Sequence, residues 1–352
     1  MQVNFGEILK LLAQEETISD IHIAIKEPIM FRQNGDIVRQ TQRPTMNQED
    51  VTEILVFLLN ADQKRVAEFW NMRDMDFSYT VPSGPSYRVN AALSLGKLSI
   101  AMRKINSKAK QLEELMYQDI AQSVKDNILS KKAGLYLVNW PTGSGKSTSI
   151  VAMLQYLNTN RHSHIVTIED PIEFMFTPDK SLITQREVGL DTDSFAAALR
   201  SAMRQDPNII LIGEIRDKHT AEAAINMAET WHIVFSTLHT SSAAQTVNRY
   251  IGFFEPEVQE IIADRLADAL LGVQCQYLVK TADGKNRVGV FEFMVNNTAI
   301  RNNIKKRDLK QIDSTIETSA NSGMISMKWY GKRLIEQWVV NKTDMEWLFG
   351  VE

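Results

Sequence analysis

The chain has 352 residues with a formal net charge of −4, and 44% of its residues are hydrophobic and 23% charged. This balance is typical of a soluble globular protein with room for two domains, and it argues against nucleic acid as a partner. The single cysteine, Cys275, excludes an intrachain disulfide and a cysteine-rich zinc site. No apolar run reaches the roughly 18 residues of a membrane span. Residues 1–10 lack a signal-peptide pattern, so we expect a cytoplasmic protein.

The first hundred residues predict a small α+β domain over residues 1–105, followed by a Lys-rich linker over residues 106–118. Apolar residues at helical spacing predict two helices, and alternating apolar residues between turn signals predict five strands. The predicted helices are Phe5–Gln14 and Val51–Trp70, and the predicted strands are Ile21–Ala24, Ile29–Arg32, Phe77–Val81, Tyr87–Leu93 and Leu98–Lys104, with a hairpin turn at Asn34–Gly35.

Residues 119–352 alternate between strands and helices, which is typical of an α/β domain with a parallel sheet covered by helices. Two further strands around residues 282–285 predict a hairpin at the edge of that sheet, and the chain after Thr298 predicts only helices. The predicted strands are Leu135–Asn139, Ile165–Ile168, Ile209–Ile212, Ile233–Thr237, Tyr277–Lys280 and Arg287–Phe293, and the predicted helices between them are Ser147–Leu157, Asp193–Arg204 and Ala221–Glu229.

The stretch Trp140–Thr148 reads WPTGSGKST and differs by one residue from a phosphate-binding loop, G-x-x-x-x-G-K-[ST]. It follows a predicted buried strand and opens a predicted helix, the context in which this signature binds ATP. Backbone N–H groups would hold the β-phosphate, Lys146 would reach the β- and γ-phosphates, and Ser147 would bind Mg²⁺. A Gly/Ser turn without a ligand is the alternative. The predicted nucleotide-binding residues are Pro141, Thr142, Gly143, Ser144, Gly145, Lys146, Ser147 and Thr148.

Acidic residues follow two of the predicted strands at their carboxyl ends, where open α/β sheets bind ligands. Glu169 follows the strand Ile165–Ile168, and Glu214 follows the strand Ile209–Ile212. ATP hydrolysis needs carboxylates near the γ-phosphate that hold Mg²⁺ and orient water. Either acid alone could be ordinary solvated charge, but two of them after a phosphate loop favour a catalytic site.

Two histidines frame the next predicted strand, with His232 before it and His239 after it. Histidines in such positions are either structural or contact the γ-phosphate through a hydrogen bond. Both interpretations stay open on the sequence alone.

Three segments in order resemble the Asp box, Walker B motif and His box of the secretion ATPases, the hexameric motors of type II secretion and type IV pili. They are TIEDPIE at Thr167–Glu173, IILIGEIRD at Ile209–Asp217 and HIVFSTLHT at His232–Thr240. Within that superfamily, AIRNNI at Ala299–Ile304 resembles the AIRN element of PilT-type pilus retraction ATPases. The chain also lacks the four-cysteine zinc insert that is frequent in assembly-side relatives.

The resemblance implies a PAS-like N-terminal domain joined to a RecA-like ATPase domain, with ATP and Mg²⁺ bound between them. Arg88 and Arg103 match N-terminal-domain arginines that reach toward the nucleotide in the family, although Ser86 replaces a further basic residue that is common there. The resemblance also implies that Glu214 is the catalytic carboxylate linked to Mg²⁺ and that Glu169 orients the attacking water. The two roles could be exchanged.

The implied function is a cytoplasmic motor, peripheral at the inner membrane, that hydrolyses ATP to retract type IV pili in twitching motility. The implied partners are five further copies in a homohexameric ring, an inner-membrane platform protein and a paralogous retraction ATPase, with no nucleic acid. The alternatives are a pilus-assembly or type II secretion ATPase, a non-hydrolysing ring subunit, and a nucleic-acid translocase.

Four tryptophans occupy positions that are typical of glycine. Trp140 replaces the first glycine of the loop signature and by itself predicts a site that cannot bind nucleotide, Trp231 replaces the glycine of the His box, and Trp338 and Trp70 stand at predicted helix ends. We hypothesise that a UGA codon, read as glycine in some bacterial lineages, was translated here as tryptophan. Replacing all six tryptophans would raise the glycine count from 16 to 22.

Overall fold

The computed structural model describes residues 5–6, 9, 15, 18–33, 36–41, 44–82, 84–105, 107–139 and 144–349. The chain divides into two compact units, Met1–Lys108 with Glu173–Met175, and Ala109–Ile172 with Phe176–Glu352. The boundary after Lys108 falls inside the predicted linker. None of the helices in the described ranges combines the length and the apolarity that crossing a bilayer requires.

The first unit is built around an antiparallel sheet with an apolar face. Its strands are β1 (Ile18–Ala24), β2 (Met30–Gln33), β3 (Asp36–Arg39), β4 (Asp74–Thr80), β5 (Ser86–Ser94) and β6 (Lys97–Lys104), and its helices are α1 (Gln48–Leu58) and α2 (Gln63–Met72). The strand order is β3-β2-β1-β6-β5-β4. Ile21 and Ile23 of β1 are buried in the same core as Val51 and Leu55 of α1. The five predicted strands are confirmed. The predicted helix Phe5–Gln14 lies largely, and the predicted turn at 34–35 wholly, outside the described residues.

The prediction of one helix over Val51–Trp70 is wrong, because the chain forms α1 and α2 with a break between them. Asn60 and Ala61 take left-handed backbone angles, with φ of 54° and 56°, and this conformation ends the first helix. Asp62 then starts the second helix by accepting hydrogen bonds from the backbone N–H groups of Lys64 and Arg65 at 2.9 and 3.4 Å. Apolar residues resume at Val66, two helical turns after Leu59, so the two helices keep one apolar phase and periodicity alone could not detect the break.

The second unit contains a seven-stranded sheet that is parallel except for one edge strand. Its strands are β7 (Gly134–Asn139), β8 (His164–Glu169), β9 (Leu182–Glu187), β10 (Ile209–Ile212), β11 (Ile233–Leu238), β12 (Leu270–Lys280) and β13 (Arg287–Val295), in the order β13-β12-β7-β11-β10-β8-β9. Only β13 runs antiparallel, beside β12. The predicted strands and the predicted edge hairpin are confirmed. The sequence did not predict β9, and β12 begins at Leu270 rather than Tyr277.

Helices cover this sheet and make up the end of the chain. They are α3 (Leu112–Leu115), α4 (Gln118–Val124) with a following π-helical turn, α5 (Lys146–Asn160), α6 (Phe195–Ala202), α7 (Lys218–Glu229), α8 (Ala243–Ile251), α9 (Gln259–Ala269), α10 (Thr298–Lys305), α11 (Leu309–Thr318), α12 (Met327–Glu336) and α13 (Lys342–Phe349). The three predicted helices between strands and the helical C-terminal part are confirmed.

Parallel register brings the carboxyl ends of four central strands to one edge of the sheet. Asn139 at the end of β7 pairs with Leu238 at the end of β11, while Ile212 at the end of β10 pairs with Ser236 on one side and Ile168 on the other. Every residue of β7, β10 and β11 is buried. The loops that leave this edge therefore start from fixed, neighbouring points.

Two tryptophans end helices in the left-handed conformation that usually requires glycine. Trp231 follows α7 with a φ of 69°, and Trp338 follows α12 with a φ of 59°. The N–H of Trp338 donates to the carbonyl of Ile335, and the N–H of Val339 donates to that of Leu334, both at 2.9 Å. This pair of bonds is the helix ending that glycine commonly completes. The two indoles are 79% and 87% exposed, so packing does not explain their presence.

Trp70 does not share this environment. It lies inside α2, and Arg73 is the residue that takes the left-handed position after that helix, with a φ of 66°. The prediction of a glycine-like position for Trp70 is therefore wrong. Trp329 likewise lies within α12.

We expect Trp338→Gly to raise the free energy of unfolding by about 1 kcal/mol, because a left-handed non-glycine residue is strained by about that amount. Trp329→Gly is the matched control, since it makes the same chemical change inside the same helix, where glycine costs about 1 kcal/mol. Urea denaturation of the two variants measures both effects. A loss of stability in Trp338→Gly would contradict the assignment of this position.

One carboxyl group links the edge hairpin to the start of α8. Glu292 on β13 accepts a hydrogen bond from the backbone N–H of Ala243 at 2.7 Å. Burial raises the pKa of Glu292 to about 7, and the charges of Asp313 and Glu317 on α11 act in the same direction. Burial and Glu317 also raise the pKa of Asp313.

Folding should therefore become less favourable as the pH rises from about 4.5, the usual pKa of the group, to about 7. In that window the folded chain binds a proton at Glu292 that the unfolded chain has lost. Glu292→Gln keeps an acceptor for Ala243, so we expect a higher melting temperature than the parent at pH 8 and little difference at pH 4.5. The exposed Glu53→Gln is the control. An equal shift at both pH values would contradict the assignment.

Candidate nucleotide site

The predicted phosphate loop connects the buried strand β7 to the helix α5. Residues 140–143, which include Trp140 and the predicted contacts Pro141, Thr142 and Gly143, lie outside the described residues. Gly145 precedes α5 with a φ of 84°, and no side chain caps this helix end. The first N–H groups of a helix without a side-chain cap favour an anion.

The described part of the loop carries features that fit a bound phosphate. The hydroxyl oxygen of Ser144 is buried and has no hydrogen-bond partner among the described residues. Lys146 is the first residue of α5, and Ser147 and Thr148 follow on its exposed first turn. A buried polar atom of this kind costs free energy unless a ligand or water satisfies it. The residues present therefore fit a nucleotide phosphate.

Glu214 lies two residues after the end of β10, and both of its carboxylate oxygens are paired. One oxygen forms an ion pair with Arg216, and the other lies 3.3 Å from Nε2 of His239. The Glu214 side chain is only 14% exposed. A hydrogen bond from the Thr237 hydroxyl to the carbonyl of Gly213, at 2.7 Å, ties the loop to β11. The structure thus brings together the predicted residues Glu214 and His239 and adds Arg216, which sequence reasoning had passed over although it stands in the same motif.

Glu169 is the last residue of β8 and lies one strand beyond Glu214. Its carboxylate accepts hydrogen bonds from the Thr167 hydroxyl at 2.7 Å and from Nε2 of Gln185 at 3.4 Å. Strands lie about 4.8 Å apart, so β10 is about 10 Å from β7 and β8 about 14 Å. Strand order therefore places Glu214 nearer than Glu169 to the start of the phosphate loop.

The two histidines lie at opposite ends of β11. His239 follows the strand at the carboxyl edge, whereas His232 precedes it, and six strand residues extend about 20 Å. Nδ1 of His232 lies 3.0 Å from the carbonyl oxygen of Met227, in the turn after α7. The prediction that His232 contacts the γ-phosphate is therefore wrong, and its role is structural.

Asn139, the residue immediately before the loop, links β7 to the His-box segment. Its side chain is fully buried. Oδ1 accepts from the backbone N–H of Leu238 at 2.8 Å, and Nδ2 donates to the Thr246 hydroxyl at 2.9 Å. The Thr246 hydroxyl in turn lies 2.7 Å from that of Thr240. Sequence reasoning missed this residue, because its partners are about a hundred positions away in the chain.

In the first unit, the predicted residues Arg88 and Arg103 lie side by side on one face of the sheet. Arg103 pairs with Arg88 on β5 and with Asp20 on β1. Nε of Arg103 donates to Asp20 at 2.7 Å, and Nε of Arg32 lies 3.6 Å from the other carboxylate oxygen. Burial opposes ionisation of Asp20, but hydrogen bonds from Ser19 and Arg103 lower its pKa below the usual value. This row of three arginines around one aspartate is a positively charged surface.

The chain is similar to known proteins over nearly its whole length. The family model described as Type II/IV secretion system protein matches residues 7–348. The chain is 39% identical over 340 residues to the type IV pilus retractation ATPase PilT of Pseudomonas aeruginosa, with 96% of each chain covered. It is also 39% identical over 333 residues to the twitching motility protein of Neisseria gonorrhoeae, covering 95% of this chain and 87% of that protein.

A solved structure is similar over nearly the whole chain. The crystal structure of the pilus retraction motor PilT with bound ADP matches with a TM-score of 0.87 and 35% identity, covering 97% of this chain and 96% of the other. This likeness confirms the predicted α/β fold, a RecA-like core with a smaller N-terminal domain. The chain therefore belongs to the type II/IV secretion system protein family, and its predicted resemblance to the PilT-type retraction ATPases is confirmed.

Proposed function

We propose that this protein is an ATP-hydrolysing motor that powers the retraction of type IV pili. The observation that carries the proposal is one sheet edge at which the uncapped start of α5 follows β7 and the paired carboxylate of Glu214 follows β10, with β11 between the two strands. Two relatives that match over most of their length are named a retraction ATPase and a twitching motility protein.

ATP would bind with its β- and γ-phosphates at the backbone N–H groups of residues 142–148, which include the start of α5. Lys146 would neutralise the β- and γ-phosphate oxygens, and the exposed hydroxyl of Ser147 would hold Mg²⁺. Magnesium prefers phosphate oxygens, water and one or two protein oxygens, and it supplies charge neutralisation when bound. The ADP in the PilT crystal structure supports a nucleotide as the ligand class.

Glu214 would accept hydrogen bonds from water molecules bound to Mg²⁺. Its pairing with His239 and Arg216 keeps the carboxylate at a fixed position. Its strand lies closer to β7 than that of Glu169, which supports Glu214 as the residue linked to Mg²⁺. Glu169 would orient the attacking water from the next strand. His239, half-exposed beside Glu214, would contact the γ-phosphate through the same edge.

Arg88 and Arg103 would contribute positive charge to the transferred phosphoryl group. Asp20 holds Arg103 by Nε alone, and the two terminal nitrogens of that guanidinium have no hydrogen-bond partner among the residues described here. An arginine that stabilises phosphoryl transfer is worth about 10³-fold or more in rate. The resemblance further supports a homohexameric ring at the inner membrane that acts on a pilus platform protein, with a paralogous retraction ATPase as a further partner.

A non-hydrolysing ring subunit would be the function if Trp140 were the natural residue, because a bulky residue at the first glycine obstructs the loop. The backbone of Trp231 and Trp338 supports the other interpretation, since both adopt angles typical of glycine. We infer that Trp140, Trp231 and Trp338 are glycine in the natural protein through UGA recoding, whereas Trp70 and Trp329, which lie within helices, are encoded as tryptophan. UGG codons at the first three positions would contradict this inference.

The function is tested by an ATPase assay with Mg²⁺ on the double variant Trp140→Gly with Trp231→Gly. We expect this glycine-restored variant to hydrolyse ATP about tenfold faster, or more, than the parent chain with tryptophan at both positions, because the loop can then surround the phosphates. Adding Glu214→Gln should lower kcat by about 100-fold without weakening ADP binding. The exposed Glu222→Gln on α7 is the matched control. No hydrolysis by the restored variant would contradict the motor function.

A further inference from the structure

A chain of buried polar side chains runs from the middle of the second sheet to the phosphate loop. The hydroxyl of Tyr136 on β7 donates to Oε1 of Gln274 on β12 at 3.0 Å, and Nε2 of Gln274 donates to Oε1 of Gln276 at 2.8 Å. All three side chains are buried. Buried polar groups destabilise the fold unless each of them forms hydrogen bonds. This row of buried side chains is therefore expected to hold another part of the structure in place.

Gln276 is the member of this hydrogen-bonded row of side chains that contacts the phosphate loop. Its Oε1 also accepts from the Ser149 hydroxyl at 2.7 Å, and its Nε2 donates to the backbone carbonyl of Ser144 at 2.8 Å. A carbonyl can only accept a hydrogen bond, so the group that faces Ser144 is the NH₂ end of the carboxamide. The Ser144 carbonyl therefore fixes the orientation of the amide, and the Ser149 hydroxyl satisfies Oε1 without help from Gln274.

This contact sets the direction of one loop amide. The peptide between Ser144 and Gly145 is planar and trans, so the Gly145 N–H points away from the carbonyl that Gln276 holds. The Gly145 N–H has no backbone acceptor in the described part of the chain. It therefore points to the other side of the peptide, at the start of α5, where the loop signature predicts the β-phosphate.

Gln276 also lies against the backbone that it orients. A Cβ added at Gly145 would lie 3.1 Å from Nε2 of Gln276, and the φ of 84° at Gly145 is itself rare for other residues. The glycine of the loop signature thus leaves room for Gln276 as well as for the phosphate.

We propose that Gln276 is a positioning residue for nucleotide binding, which fixes the Ser144–Gly145 peptide so that the Gly145 N–H donates to the β-phosphate. This inference rests on the proposed function, because it requires that the loop binds a nucleoside diphosphate or triphosphate. Sequence reasoning could not find it, since Gln276 follows the loop by more than a hundred residues, and the strand order that brings the two together is not visible in the sequence.

The test uses Gln276→Glu in the glycine-restored background and measures the dissociation constants of ADP and AMP by competition with a fluorescent ADP analogue. Glutamate has nearly the same shape, and at alkaline pH its ionised carboxylate presents oxygen instead of NH₂ to the Ser144 carbonyl. We expect ADP binding to weaken about tenfold, the usual value of one buried hydrogen bond. AMP binding should change less than twofold, because AMP lacks the β-phosphate. Gln276→Met, which also lacks the donor, replaces this variant if it does not fold, with the same expected loss.

Gln274→Met is the matched control, since it removes a buried amide from the same strand but leaves the bond to Ser144. We expect it to lower the melting temperature and to leave ADP affinity within twofold of the parent. Unchanged ADP affinity in Gln276→Glu, equal losses for ADP and AMP, or an equal loss in Gln274→Met would each overturn the inference while leaving the motor function intact. A glycine-restored parent that fails to bind ADP would overturn the proposed function and this inference together.

Discussion

Parallel pairing of buried strands is the constraint on which the candidate site depends. β7, β11, β10 and β8 lie next to one another, and their carboxyl ends open at the same edge. The backbone hydrogen bonds of a parallel ladder leave little freedom in register once the strands are buried on both faces. The end of β7, from which the loop starts, and Glu214 are therefore held near one another by the sheet itself.

Buried amides extend this constraint from the strands to the loops. Asn139 ties the last residue of β7 to the segment that carries His239, and Gln276 ties the carbonyl of Ser144 to β12. Each amide is buried and hydrogen-bonded through both its oxygen and its nitrogen, so loss of one partner would leave an unsatisfied polar group. The loops at the site are thus fixed on two sides, by β11 and by β12.

Sequence reasoning succeeded where a local pattern carries the information. β7, β10 and β11 are short, mostly apolar runs, as expected for strands buried on both faces. The motif around Glu214 includes the strand that precedes it, so the position of Glu214 after a strand could be predicted. Sequence reasoning failed where contacts between distant parts of the chain determine the structure. β9 is half-exposed and reads LITQRE, without the apolar run of an inner strand. His232 and His239 look equivalent around one strand, and only the direction of that strand separates them. The partners of Gln276 become visible only once the order of β12 and β7 is known.

The most direct measurement is a crystal structure of the glycine-restored protein with ADP, beryllium fluoride and Mn²⁺ in place of Mg²⁺, with an anomalous difference map at the manganese edge. We expect one strong peak about 2 Å from the Ser147 hydroxyl oxygen. The same peak should lie about 5 Å or less from the Glu214 carboxylate, a distance that one bridging water can span. A nucleotide bound away from the start of α5, or manganese more than about 10 Å from Glu214, would contradict a motor site at this edge of the sheet.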